Sequence, residues 1–314
     1  MNNLIKTVCC FILLAAVTCI ARSQSNEDLS SAFEKYFSEL KAGKNNPVPN
    51  SITQHPNEAK AIELAMKYSG DTLSMVRAAA YYIVKRIGIN SSNLNTRQSC
   101  VYYLILACKD KDSGNSGTAG EYLTQFDTSD FTPKSLDSLR SLVRSKPPHY
   151  ETILKLTGFL DLQDMSPFIK ETILASAKIS KQTKWAGHLA LARMGDTNEV
   201  KYCVERCKRI PVSDNVVYNL FPDMVYTRQK EALDYLIVVL NSNEKNCTSP
   251  NPDSEEKILC GYRVMEYLAP VVEGFPLKLD IGGDLVTDNY EGALVLVRGW
   301  FNNTPGYKID KSKF

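Results

Sequence analysis

The chain has 314 residues, 37 of them Lys or Arg and 35 Asp or Glu, for a formal net charge of +2. So even a balance excludes electrostatic capture of nucleic acid or of an anionic membrane as a main activity. The length is ample for a large apolar core and long for one compact globule, which favours a chain that grows along one axis.

In chain order, the first element is a targeting segment. Lys6 precedes an almost wholly apolar run from Val8 to Ile20, and Ala21-Arg22-Ser23 places small residues at −3 and −1 of a cleavage site before Gln24. The apolar run is shorter than the roughly 20 residues that span a bilayer. The expectation is a cleaved signal peptide, residues 1–23, and an exported product, periplasmic or extracellular, with no transmembrane segment. Ala16-Val17-Thr18-Cys19 loosely resembles a bacterial lipobox, so the alternative is a lipid anchor at Cys19. The leader carries Lys6 and Arg22 and no acid, so its removal brings the 37 bases level with the 35 acids.

Residues 24–314 read as one domain, helix after helix. Ser25 to Asp28 supplies caps and acids before Leu29, Phe33, Phe37 and Leu40 recur at helical spacing. Helices follow from about Asn57 to Tyr68, from Asp71 to a stop at Gly88, and from Asn95 to Cys108. Asp110 to Gly117 reads as a polar, Gly-rich turn. Thr132-Pro133 and Ser166-Pro167 look like an N-cap followed by proline at N1, and Pro147-Pro148 separates two more helices. Gly195-Asp196 ends one helix and starts the next, with Glu199 three residues on imitating a capping box. Thr227 to Leu240 is the last strongly periodic helix before a C-terminal cap, residues 243–314. Pro276 to Thr287 is either a small β-hairpin around Gly282-Gly283 or a loop leading to a final helix, Asp288 to Phe301. Charge is uneven: Lys178 to Lys230 is basic and Glu231 to Asp288 acidic.

Beyond the leader there are six cysteines. Cys247 and Cys260 flank a turn-rich stretch and form the best disulfide candidate; closing that loop contributes on the order of 3 kcal/mol. Cys203 and Cys207 sit four apart on one helix, about 6 Å between Cβ atoms, too far for a relaxed disulfide. With no His or second Cys pair nearby in sequence they read as buried thiols, as do Cys100 and Cys108, and no metal site is expected.

Small residues mark two helices: Val76-Arg77-Ala78-Ala79-Ala80 and Ala186 to Asp196. Asp71 followed by Val76-Arg77 and Ala79-Ala80 resembles a HEAT repeat, and Ala190-Leu191-Ala192-Arg193-Met194-Gly195-Asp196 is similar to the lyase-type HEAT variety. The two stretches and their helices cover about a third of the mature chain. The resemblance implies an all-α protein, a right-handed α-α superhelix of about seven helix pairs, serving as a binding platform or scaffold. Some lyase-type relatives act on tetrapyrroles, but no residues here match that chemistry.

Function is less legible. His55, His149 and His188 are isolated, and no nucleophile-elbow, zincin or phosphate-loop spacing occurs. An enzyme acting on sugars, or another hydrolase or lyase on a helical toroid, would need two carboxylates across a cleft. Asp161 with Asp164, or Asp280 with Asp284, are the nominees, but both pairs flank turns. No catalytic residue, metal or cofactor is therefore assigned. Tyr81-Tyr82 and Tyr102-Tyr103 recur in successive helices. Neighbours on a helix diverge by about 100°, so one tyrosine of each pair serves the core edge and the other reaches the surface. The exposed members are the binding candidates, expected to help line the concave face of the solenoid, and the expected partner is a protein or peptide.

Overall fold

The computed structural model describes residues 28–250, 253 and 255–314. The expected leader, Cys19 and the caps at residues 25–27 lie outside them. The described chain is all-α apart from two strands of two residues each. Among the described residues no helix is long and apolar enough to cross a membrane. The chain divides into two compact units, one ending at His149 and one spanning Tyr150–Phe314, at the break marked by Pro147-Pro148.

The first unit begins with a helix over 28–41, here α1. Then come α2 (Asn50–Thr53), α3 (Glu58–Lys67), α4 (Ser74–Asn90), α5 (Leu94–Ala107), α6 (Ser113–Leu123), a 3₁₀ turn (Thr128–Asp130) and α7 (Pro133–Ser145). Side-chain caps set most starts: Asn57 accepts from the Lys60 N–H, Asp112 from Asn115, and Thr132 from Ser135 with Pro133 at the first turn. Short connections fold α3 on α2, α4 on α3, α5 on α4 and α6 on α5. Helices also touch every second neighbour, α3 with α5, α4 with α6 and α5 with α7, so the unit has two layers. Val76, Ala80, Ile83 and Val84 of α4 meet Cys100, Val101 and Leu104 of α5 in its core, all fully buried.

Two glycine readings are corrected. The helix expected to stop at Gly88 runs on to Asn90. A Cβ on Gly88 would lie 2.7 Å from the Cys100 Cβ and 2.8 Å from the Phe126 ring, so this glycine is a contact point and not a terminator. Asp110 to Gly117 is not a turn throughout, because α6 starts at Ser113 and includes Gly114, Gly117 and Gly120. At Gly117 a Cβ would meet the His149 ring at 2.5 Å.

The second unit runs α8 (Tyr150–Phe159), a 3₁₀ turn (Gln163–Met165), α9 (Ser166–Phe168) continuing as a π-helical stretch (Ile169–Leu174), α10 (Lys181–Arg193), α11 (Thr197–Lys208), α12 (Asp214–Asn219), α13 (Phe221–Thr227) and α14 (Lys230–Asn241). β1 (Cys247–Thr248) and β2 (Lys257–Ile258) pair antiparallel, followed by α15 (Gly261–Leu268) and α16 (Tyr290–Asn303). α10 packs on α8, α11 and α13; α14 packs on α11, α13 and α15. Gly195 has φ +89°, and Asp196 then accepts from the N–H groups of Asn198 and Glu199. Ser166 does not cap α9: Met165 precedes the helix and no side chain caps it. The helix expected from Thr227 starts instead at Lys230, because Thr227 ends α13 and Arg228 turns left-handed at φ +52°. Between Pro276 and Thr287 the chain reverses through one antiparallel bridge, Leu279 to Leu285, with no longer strand pairing.

Cys247 and Cys260 are joined, their Cα atoms 5.1 Å apart. The base of the loop has a second tie, since Thr248 donates its N–H and hydroxyl to Asp214. Substituting both cysteines with serine should therefore cost about 2 kcal/mol, less than loop-closure entropy alone implies. Urea unfolding of the double variant checks this; an unchanged midpoint would show that the Asp214 tie suffices.

Candidate functional site

Of the two tyrosine pairs, only Tyr81 and Tyr82 divide into a core and a surface member; Tyr102 and Tyr103 are both half-buried, against the expected division. Tyr81 is buried on α4, and its hydroxyl donates to Asp110 at 2.8 Å. Arg77, one turn earlier on the same helix, clamps Asp110 in a fork: Nε to Oδ2 and Nη2 to Oδ1, both 2.7 Å. Its Nη1 donates to the carbonyls of Asp71 and Thr72. Both charged side chains are almost fully enclosed, Arg77 at 4% and Asp110 at 1% exposure. Burial pushes the Asp110 carboxyl up, but Arg77, the Asp112 N–H and Tyr81 together hold it well below the usual carboxylate range. Tyr81 moves up, first through burial and then through Asp110. This network closes one end of α4 onto the α5–α6 connection, beside an open depression of about 370 Å³ lined by Met66, Gly70, Leu106 and Lys109.

Tyr82 points the other way. It is 38% exposed, and no hydrogen-bond partner for its hydroxyl appears among the described residues. Its electrostatic neighbours are Tyr36 on α1 and Tyr122 on α6, with the Lys85 ammonium 5.7 Å from the Tyr122 ring centroid. Three helices thus bring Tyr36, Tyr82, Lys85 and Tyr122 together. Tyr102 and Tyr103 on α5 are half-buried, their ring centroids 6.0 Å apart, with Lys134 of α7 4.1 Å from the Tyr102 ring. The structure groups Tyr82 with Tyr36 and Tyr122, and Tyr102 with Tyr103 and Lys134.

Other nominated groups have local duties. His188 Nδ1 lies 2.6 Å from Glu199, and its ring stacks on Tyr202; Glu199 pairs here and not with the start of α11. Asp280 accepts the Asp284 N–H within its own turn, and Asp161 accepts from Gln163. Cys100, Cys108, Cys203 and Cys207 are buried free thiols. Burial pushes Cys100 and Cys108 up to about 12 and Cys207 up to about 11, which leaves them inert at neutral pH. Among the described residues no group of three or more His, Cys, Asp or Glu is arranged to hold a metal.

Sequence reasoning missed the Tyr36–Tyr82–Tyr122 grouping, because three separate helices supply it and only tyrosine pairs were visible as a pattern. It also missed two buried arginines of the second unit, Arg193 and Arg228. Comparison of the sequence with protein-family models and with curated proteins finds no match.

Proposed function

We propose that the chain is an exported HEAT-like α-solenoid protein that binds a protein or peptide partner through its tyrosine-bearing surface and has no catalytic site of its own. The observation that carries the binding reading is the contrast within one dipeptide: Tyr81 spends its hydroxyl on Asp110, while Tyr82 is 38% exposed beside Tyr36 and Tyr122. Exposed tyrosines on rigid helices offer large contact area at low entropic cost.

The repeat reading is supported by side-chain ties at a constant offset in the first unit. Arg77 holds Asp110, Arg97 holds Asp130 and Ser91 donates to Glu58, each pair 33 residues apart. Each tie joins segments about one helix pair apart along the chain, the reach that contacts between stacked pairs have. The disulfide between Cys247 and Cys260 supports an oxidising compartment, in keeping with the expected leader.

The test is capture from the native extracellular or envelope fraction, followed by mass spectrometry, with wild type beside Tyr82→Ala. The partner recovered with wild type should bind the variant about 30-fold more weakly, a hot-spot loss near 2 kcal/mol, with the thermal midpoint little changed. Equal binding by both would remove this surface from the reading.

A further inference from the structure

The last residues of the described chain lie across the second unit as a strap. Tyr307 is buried and donates its hydroxyl to Asp234 at 2.8 Å. Ile309 bridges antiparallel to Val272, with Glu273 N–H on the Lys308 carbonyl and Asp310 N–H on the Val271 carbonyl. From there two arginines take over. Arg228 donates Nε to the Asp310 carbonyl and Nη2 to the Phe314 oxygen, both at 3.0 Å. Arg193 donates Nη2 to the carbonyls of Lys311 and Lys313, at 3.0 and 2.8 Å, and Nη1 to the Tyr226 carbonyl. The Phe314 ring packs against Phe159 and Tyr226, with centroids 5.7 and 5.3 Å away.

Three features set this contact apart from ordinary tail packing. The guanidinium groups are 7% and 4% exposed and lie in each other's field, and every hydrogen bond they make ends on a main-chain oxygen. A buried cation normally takes a carboxylate partner; here the carbonyls of Val225, Tyr226, Asp310, Lys311 and Lys313 take most of that place, and the nearby Asp310 carboxylate adds field. Arg228 also holds a left-handed backbone at φ +52°, a position where glycine is usual, and its side chain is the part that reaches the strap. Finally, open space of about 450 Å³ continues past Phe314, lined by Lys155, Asp223, Tyr226 and Tyr267.

We infer that Arg193 and Arg228 form a peptide-backbone clamp whose resident occupant is residues 310–314, an internal ligand that another extended peptide with an aromatic residue in the place of Phe314 can replace. The clamp reads carbonyl spacing, and the Phe159–Tyr226 wall reads the aromatic ring. Lys308 and Lys311 face solvent, so their side chains do not enter the recognition.

The test cuts the strap without removing it. A protease site placed at the exposed Pro305-Gly306 turn is cleaved after folding, and a fluorescent peptide of residues 306–314 is titrated by anisotropy into nicked and intact chain. The nicked chain should take up the peptide saturably, one per chain; the intact chain should exclude it, because a tethered strap competes at millimolar effective concentration. A peptide carrying Phe314→Ala should bind at least about tenfold more weakly. One carrying Lys308→Ala and Lys311→Ala should stay within about fivefold. If the nicked chain loses structure, saturable refolding by the peptide, with the same order of variants, supports the clamp. Failure of the peptide to exchange or refold, indifference to Phe314→Ala, or abolition of binding by the lysine substitutions would overturn it.

Discussion

Replacing Arg77 with methionine is expected to destabilise the first unit by about 3–5 kcal/mol at neutral pH, the cost of leaving a buried carboxylate without its cation. Asp110 would keep Tyr81 and the Asp112 N–H but lose both guanidinium hydrogen bonds. The sign of the pH dependence separates this from simple loss of packing. In the wild type the Asp110 carboxyl is held low, so its stabilisation is fully present above the unfolded carboxylate value of about 3.9 and is lost only as the pH falls below it. In Arg77→Met, burial is opposed only by the Asp112 N–H and the Tyr81 hydroxyl, so the same carboxyl rises from its wild-type position. The variant's deficit should then be largest at neutral pH and shrink on acidification toward about pH 4. The double variant Arg77→Met, Asp110→Leu should recover most of the loss. Urea midpoints at pH 7 and pH 4.5 measure all three. A deficit that does not change with pH would mean that the ion pair is not its source.

Gly158→Ala should cost about 3 kcal/mol or more, at the upper end for a single added methyl. A Cβ there would lie 2.6 Å from the Tyr226 hydroxyl and 2.7 Å from both Cα and O of Ala190. The hydroxyl is anchored, donating to the Lys155 carbonyl at 2.5 Å, and the Ala190 atoms are backbone in the middle of α10. Neither can yield by a rotamer change, so α8 must move off α10. Gly299→Ala is the internal control. It is also helical, but nothing lies within 4 Å of its Cβ position, so the same substitution should stabilise by about 0.5–1 kcal/mol through helix propensity. Opposite signs in the thermal midpoints are the expected result. A neutral Gly158→Ala would mean that the two helices do not approach this closely.

Both positions show how far local pattern reaches. Thr132-Pro133 and Gly195-Asp196 were readable because a cap is chemistry between residues two or three apart. The Cys247–Cys260 pairing was readable because a short turn-rich loop brings its ends together whatever surrounds it. Gly88 and Gly117 were misread because a helix-ending glycine and a contact glycine look alike in sequence; the difference lies in Cys100, Phe126 and His149. Both tyrosine pairs were visible, but the expected division holds only for Tyr81 and Tyr82 and not for the half-buried Tyr102 and Tyr103, and the neighbours that make Tyr82 a patch come from 46 residues before it and 40 after.

The arginines mark the same boundary more sharply. Arg77 stood inside a recognisable helical phrase, but its partner Asp110 lay in what read as a turn. Arg193 ended the second phrase and Arg228 carried no signal at all, and both turned out to be buried against the strap. From the sequence alone came the all-α class, most helix limits and the crosslinked loop, because propensity, capping and loop closure act over a few residues. Which charges are buried, which glycines touch and which tyrosines face water were decided by tertiary structure, because burial and ion pairing depend on neighbours that only the folded chain brings within a few ångströms.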